Sequence, residues 1–299
     1  MRKTTLPGLS VRTLWNCLFL LLIAVSASLA HASEVTLRSF SSRAMGADYR
    51  YTIYLPDGYD SGRLRYPVLF LLHGNGGNEN NWLVDGHVQA TMDALIRQAK
   101  VQPAIIVMPG GGATWWVDGN KDQAETALIK ELIPHIDATF RTIVAREGRM
   151  IAGLSAGGFG TVSAVFRYPE LFVAGAAMSP AIYSPTPPKH SSAMRVAPFQ
   201  KDGKFDQASW DRLNYTANWE SYKSRKIIVP LYLNSGDHDT FSIAYHSALL
   251  FQKLFEYQPK YVQYRVVDGD HEWSVWRETI GDAIKYMSGF ASQPQEVKP

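Results

Sequence analysis

The sequence predicts an α/β protein, a three-layer sandwich with a mostly parallel sheet between two layers of helices. Three observations carry that expectation. Apolar runs such as YPVLFLLHG (66–74) and PAIIVMPGG (103–111) are continuous instead of alternating, as strands covered on both faces must be. Segments of helical spacing separate these runs along the chain. An apolar content of 46% in 299 residues is that of an ordinary globular chain, long enough to bury a large core without covalent staples.

The elements follow in order. DYRYTIYLP (48–56) alternates and is rich in Tyr, as a strand should be. YPVLFLLHG is the first buried strand. VQATMDALIRQAK (88–100) has helical spacing, and PAIIVMPGG is the second buried strand. QAETALIKELIPHIDATF (123–140) reads as one long amphipathic helix that tolerates a proline. GRMIAGLSAGG (148–158) gives a third short strand and a turn, and GFGTVSAVFRYPE (158–170) a helix. FVAGAAMSP (172–180) and KIIVPLYLNSGDHD (226–239) are the fourth and fifth buried strands. A helix over FSIAYHSALLFQKLFEY (241–257), a sixth strand with its loop in YVQYRVVDGDHEW (261–273) and a last helix in SVWRETIGDAIKYM (274–287) complete the pattern. Residues beyond Ser288 read as a frayed tail. The stretch of about 180–224 breaks the rhythm with SPTPPKHSS and a polar run. A cap over a pocket and a surface excursion both fit it. No internal repeat is visible.

The first 32 residues read as an export signal. Arg2, Lys3 and Arg12 form a basic start, LFLLLIAVSASLA (18–30) is a short apolar core, and AHA (30–32) supplies small residues where a signal peptidase cuts. The apolar run is shorter than the roughly 20 residues that span a bilayer, and no later run is apolar enough to span. An exported chain, periplasmic or secreted, is therefore expected, with residues 33–299 as one domain. Cys17, the only cysteine, lies within the signal and precedes its apolar core, so the remainder has no thiol nucleophile and no thiolate metal site. Thirty Lys and Arg fall to 27 without Arg2, Lys3 and Arg12, against 27 Asp and Glu. A near-neutral protein with no long basic run argues against a nucleic-acid partner.

GLSAGGFG (153–160) raises the question of chemistry. Gly153, Ser155 and Gly157 match Gly-x-Ser-x-Gly, a weak pattern by its letters alone. Its place adds weight, because it follows a strand and opens a helix. Crowding at such a corner demands small residues on both sides of the serine, and Ala156 would offer its N–H from the first turn. A glycine-rich helix start with a capping serine is the bland reading. A hydroxyl also needs a base. Of eight histidines, His31 goes with the signal, His135 sits on a helix, and His87 and His190 lie in polar surroundings without a mark of chemistry. His246 follows an acidic loop in a helix, and His73 is placed to brace a loop. His271, directly after the last strand, is the expected base. SGDHDTF offers Asp237 and Asp239, flanking His238, as acids to orient it. Asp239 is assigned that role and Asp237 is left to hold the loop, while Asp268 and Asp270 are too close to His271 in sequence. In HGNGG (73–77) the glycines let the backbone bend, and Asn75 N–H paired with Ala156 N–H forms the expected oxyanion hole. No Gly-Lys-Ser/Thr ending supports phosphate binding there. Trp82, Trp115, Trp116 and Trp276 are the pocket candidates, as walls for a sugar or aromatic acyl group or as packing beneath the floor.

Seven landmarks in order, YTIYLPDGYD, YPVLFLLHGNGG, VMPGGGATWWVDG, ELIPHIDATFRT, GLSAGGFGT, LNSGDHD and GDHEWSVWRETI, cover nearly all of the chain after the signal. Together they resemble the esterase D, or Putative esterase, family of α/β-hydrolases, which holds feruloyl and acetyl xylan esterases, S-formylglutathione hydrolases, enterochelin esterases and mycolyltransferases. The resemblance implies an α/β-hydrolase catalytic domain, with Ser155 as nucleophile, Asp239 as acid, His271 as base and Asn75 and Ala156 as oxyanion donors. It implies no metal and no organic cofactor. MPGGG (108–112) departs from the family's MPDGG at a position expected to shape the pocket rim. The expected function is an exported serine carboxylic ester hydrolase acting through an acyl-enzyme on feruloyl or acetyl esters of carbohydrates, small or polysaccharide-linked. An exported acyltransferase with a sugar acceptor and a non-catalytic binding protein are the alternatives.

Overall fold

The structure, a computed structural model, describes residues 33–119 and 123–296. The expected export signal lies outside the described residues. An eight-stranded sheet forms the middle layer. Its strands are β1 (Glu34–Ser42), β2 (Ala47–Leu55), β3 (Val68–Leu72), β4 (Ile105–Pro109), β5 (Arg149–Leu154), β6 (Ala174–Met178), β7 (Leu231–Gly236) and β8 (Val262–Val267), in the order β1-β2-β4-β3-β5-β6-β7-β8. The strands from β4 to β8 pair in parallel, whereas β1 and β2 run antiparallel at one edge. β1 was absent from the expected elements. Its residues are mostly exposed or half-buried, so it lacks the continuous apolar run that marks the others.

Besides the single turn Asn81–Val84, the helices are α1 (Val88–Arg97), α2 (residues 124–139), α3 (Ala156–Arg167), α4 (Gln207–Leu213), α5 (Trp219–Arg225), α6 (Ile243–Tyr257) and α7 (Trp273–Ser288). Alternate strand residues face two separate cores. Leu69, Leu71, Ile106, Ala152 and Tyr232 meet Met92 of α1 and Ile280, Ala283 and Ile284 of α7. Phe70, Leu72, Val107, Ile151 and Leu233 meet Leu128 and Leu132 of α2, Phe159 and Val162 of α3, and Leu250 of α6. β3 is buried throughout, as its unbroken run VLFLL requires of a central parallel strand.

Two expectations about regularity change. α2 is not a uniform α-helix, for Ala127–Leu132 is a π segment between Ala124–Thr126 and Ile133–Thr139. Pro134 has no N–H to offer and its ring crowds the carbonyl four residues back. The wide turn that leads into it relieves that clash, as π-bulges do. Nor is the chain frayed directly after Ser288. Gln102 donates to the carbonyls of Ser288 and Ala291, Ser292 N–H donates to Glu147, and Gln295–Glu296 pairs with Leu64–Arg65.

The irregular stretch after β6 carries three 3₁₀ turns, a small hairpin (Gln200–Lys201 with Lys204–Phe205), α4 and α5. It packs by aromatic rings. Phe166 of α3 stacks on Tyr222 at 4.6 Å, and Trp210 lies 4.8 Å from Phe199 and 5.5 Å from Phe159. Among the described residues no helix is long and apolar enough to cross a membrane.

An internal ion pair anchors the lower end of β5. Arg149 Nη2 lies 2.8 Å from Asp137 Oδ2, with the two side chains 8% and 13% exposed. Thr142 donates to the other carboxylate oxygen, and Arg149 also donates to the Leu171 carbonyl. Asp137→Ala leaves a buried guanidinium without its counter-charge. The expected loss is about 3 kcal/mol, or a Tm lower by roughly 6–12 °C in a domain of this size, measurable by thermal unfolding at neutral pH.

Candidate active site

The site lies at the carboxyl ends of β3, β5, β7 and β8. In an open α/β sheet this is where a crevice forms, beside the point where chain order reverses across the sheet. Here that point is the β4-β3-β5 neighbourhood.

Ser155 links β5 to α3 with φ 52° and ψ −116°, a conformation a side chain rarely adopts. Three hydrogen bonds hold it there. Its N–H donates to Met178 O at 2.9 Å, and its carbonyl accepts from Phe159 N–H at 2.9 Å and Ala181 N–H at 3.0 Å. The glycines answer to space. A Cβ on Gly157 would sit 2.5 Å from the carbonyl oxygens of both Leu72 and His73, and one on Gly153 would strike the Gly157 backbone. The first turn of α3 therefore lies directly against the end of β3.

Two loops bring the partners. His271 follows β8, and its Nε2 lies 2.8 Å from Ser155 Oγ. Its Nδ1 lies 2.7 Å from Asp239 Oδ2 in the loop after β7. The Asp239 carboxylate is fully buried behind the ring, 0% exposed against 14% for His271, and its Oδ1 accepts from Phe241 N–H. A carboxylate at Nδ1 selects the tautomer with the proton on that nitrogen, leaving Nε2 to accept from the serine hydroxyl. Asp237 ties the two loops together. Its carboxylate accepts from Gly269 N–H and from His238, and the former holds its carboxyl below the usual range. Asp270 accepts from Thr240 N–H and His271 N–H. Asp268 is 98% exposed. The ring of His271 is held edge-on by Phe241 on one side, at 4.9 Å, and by Trp276 at 5.0 Å. Trp276 is fixed in turn by its indole N–H on Ser179 Oγ.

Across from His271 runs the loop Gly74–Gly77. Gly76 N–H donates to Gly112 O and Gly77 N–H to Gly74 O. Ala156 opens α3, so its N–H is among the first-turn donors that have no carbonyl within the helix. Asn75 and Ser155 both line the cavity. The Asn75 side-chain oxygen accepts from Trp115 Nε1 at 2.9 Å. His73 braces this loop from below. Gly111 N–H donates to its Nε2 at 2.7 Å, so the ring proton sits on Nδ1 and goes to the Gly74 carbonyl. Burial pushes its pKa down to about 4.

The cavity holds about 450 Å³. Its aromatic walls are Trp115, Trp273, Trp276 and Phe241, and its polar walls include Asn81, Tyr183, His190, Ser191, Ser192 and Arg195. Two of the expected wall residues are elsewhere. Trp82 and Trp116 are 1% and 2% exposed, and their indole N–H groups donate to Leu72 O and His73 O. They pack against the end of β3, bonded to the carbonyls there. MPGGG also lies under the loop, not at the rim. A Cβ on Gly110 would sit 2.7 Å from Glu79 Oε2, and one on Gly111 would meet the Trp116 ring. Sequence reasoning missed Trp273, two residues after His271, and the wall after β6. His190, passed over for want of a chemical mark, is part of that wall.

The model of the Putative esterase family matches residues 42–287. The chain belongs to that family. It is 37% identical over 166 residues to an endo-1,4-β-xylanase/feruloyl esterase of Xylanibacter ruminicola, across 52% of this chain and 23% of that protein. It is 36% identical over 137 residues to an esterase of Mycobacterium tuberculosis, across 43% of this chain and 28% of that protein. The chain thus spans about a quarter of the length that its family matches in these two proteins have. A solved ferulic acid esterase superposes with a TM-score of 0.75 at 25% identity, over 88% of this chain and 100% of that one.

His73 gives the site a pH-dependent element. Unfolded, the imidazole has its ordinary pKa near 6.5. Folded, it resists protonation down to about 4. The unfolded state therefore binds the proton first, and stability falls as pH drops through that window. The change amounts to roughly 3 kcal/mol at 1.4 kcal/mol per unit. Thermal unfolding of wild type and His73→Asn between pH 8 and pH 4 should converge, with the variant less stable at pH 8 and less sensitive to acid from 6.5 downward.

Proposed function

We propose that this protein is an exported serine carboxylic ester hydrolase that works through an acyl-enzyme on feruloyl-type esters of carbohydrates. One observation carries the reading: the unbroken chain of hydrogen bonds Asp239–His271–Ser155, at 2.7 and 2.8 Å, opening on an aromatic-walled cavity. Export rests on the basic, apolar and small-residue pattern of residues 1–32.

The reaction follows from that chain. Ser155 Oγ attacks the ester carbonyl as its proton passes to His271 Nε2. Asp239 supports the imidazolium through Nδ1. The carbonyl oxygen, now anionic, takes hydrogen bonds from the Asn75 and Ala156 N–H groups. As the C–O bond breaks, His271 returns its proton to the leaving alcohol. Water then attacks the acyl-enzyme by the same route, giving its proton to His271, and Ser155 leaves with that proton restored.

Two points favour an aromatic acyl group over acetyl. Trp115, Trp273, Trp276 and Phe241 give flat apolar surface, where an aryl ring gains from stacking as well as from area. An acetyl group would leave most of the cavity to water. The kinship with a protein named as a feruloyl esterase, and the superposition on a ferulic acid esterase, support the same choice.

Ser155→Ala should abolish the burst of p-nitrophenol from a short-chain ester and lower kcat by about 10⁴-fold or more, with thermal unfolding still cooperative. Asp239→Asn, which gives Nδ1 the wrong partner, should cost about 10⁴-fold. On a panel of acetyl, butyryl and feruloyl esters, kcat/KM should be greatest for feruloyl. A burst that survives in Ser155→Ala would overturn the mechanism, and a preference for acetyl would overturn the acyl assignment.

A further inference from the structure

The walls of the cavity differ in charge as well as in shape. Among the described residues no Asp or Glu lines it. The one carboxylate of the catalytic chain, Asp239, is sealed behind His271. Facing the cavity from the stretch after β6 is Arg195, an exposed residue whose one side-chain hydrogen bond among the described residues goes to the His190 carbonyl at 3.4 Å. Among the described residues its guanidinium has no ion-pair partner. The surroundings offer none in sequence either, since the whole run from Leu171 to Lys201 contains Lys189, Arg195 and Lys201 but no acidic residue. A guanidinium carries five N–H donors in a planar fork and cannot lose its charge. Left without a carboxylate beside an acid-free cavity, it is available to one carried by a ligand.

Contacts place this cation relative to the reacting bond. The His190 ring lies 4.8 Å from Phe241, and Phe241 lies 4.9 Å from His271. Arg195, bonded to the His190 carbonyl, therefore belongs to the part of the wall that adjoins Phe241 and His271. In the proposed reaction His271 hands its proton to the leaving alcohol, so the wall on its side is the one the alcohol portion meets. We infer that Arg195 is a specificity-determining residue that selects esters whose alcohol portion bears a carboxylate, such as a uronic acid sugar or an alicyclic hydroxy acid. The inference rests on the ester-hydrolase reading above and adds the charge of the leaving group to it. It needs no additional step, since the carboxylate only binds.

Two matched pairs of feruloyl esters test this: one of a hexuronic acid against its primary uronamide, the other of an alicyclic hydroxy acid against its primary amide. Each pair keeps shape and removes charge. At pH 7 and low salt, wild type should hydrolyse at least one acid with kcat/KM about 3- to 10-fold above its amide, the scale of a partly solvated charge-assisted contact. Which pair shows the preference identifies the source of the carboxylate. The ratio should shrink as salt is raised. It should fall to about one in Arg195→Gln and persist in part in Arg195→Lys. Using a ratio within each variant removes any difference in the amount of folded enzyme. Equal rates for acid and amide in wild type, in both pairs, would overturn the inference and leave the ester-hydrolase reading standing. So would a preference that survives Arg195→Gln. Failure to hydrolyse any of the four esters, or p-nitrophenyl esters, would overturn the underlying reading itself.

Discussion

The contact on which the site depends is the one between the first turn of α3 and the end of β3. At Gly157 the helix backbone lies so close to the Leu72 and His73 carbonyls that a methyl group could not fit. That approach fixes how far α3 can tilt, and so fixes the direction in which Ser155 leaves β5. It also brings the start of α3 close to Gly74, where an added Cβ would lie 3.6 Å from Ser155 Cβ. Strain at Ser155 is the cost of this placement. It is borne because the backbone of the residue is bonded to β6, to the segment after β6 and to its own helix.

The same contact explains why two histidines of one site behave differently. His73 has both nitrogens committed to backbone, one accepting from Gly111 and the other donating to Gly74. Burial lowers its pKa and outweighs the hydrogen bond to Gly74 and the charge of Glu79, which act the other way. It is a neutral spacer between two glycine-rich loops, with the Trp116 ring packed 4.9 Å away. His271 faces a carboxylate at one nitrogen and a hydroxyl at the other. A proton can arrive at Nε2 because Asp239 stands ready to balance it. Environment, and not residue type, separates the brace from the base.

How much of this was legible in the sequence follows from the range of each interaction. The parallel strands announced themselves because burial on both faces forces an unbroken apolar run, as in VLFLL. The corner at Ser155 did so because close packing restricts Gly153 and Gly157 to glycine. β1 stayed hidden, for an edge strand needs burial on neither face. The π segment of α2 was invisible because Pro134 reveals a conflict without stating how the helix resolves it. Trp82 and Trp116 stayed undecided between wall and packing for a similar reason. A tryptophan in a loop signals only that a large ring must be packed. Whether it faces a cavity or a carbonyl at the end of a strand depends on contacts far apart in the chain. The wall after β6 was illegible as a site, since Ser191, Ser192 and Arg195 carry no spacing that a strand or helix would impose.

That last point bears on how chemistry and selectivity are divided in the molecule. Ser155, Asp239, His271 and the loop Gly74–Gly77 sit at strand ends, where sheet geometry leaves little freedom. The segment between β6 and β7 is held by a different kind of force. Aromatic packing of Trp210, Phe199 and Tyr222 against α3 anchors its far half, while residues 190–195 project to the cavity. Packing of that sort fixes position but is indifferent to what the exposed side chains are. The polarity of the wall beside His271 could therefore change by substitution without disturbing the sheet or the hydrogen-bonded chain. It follows that the reaction should be the fixed property of this architecture and the charge of the leaving group the adjustable one.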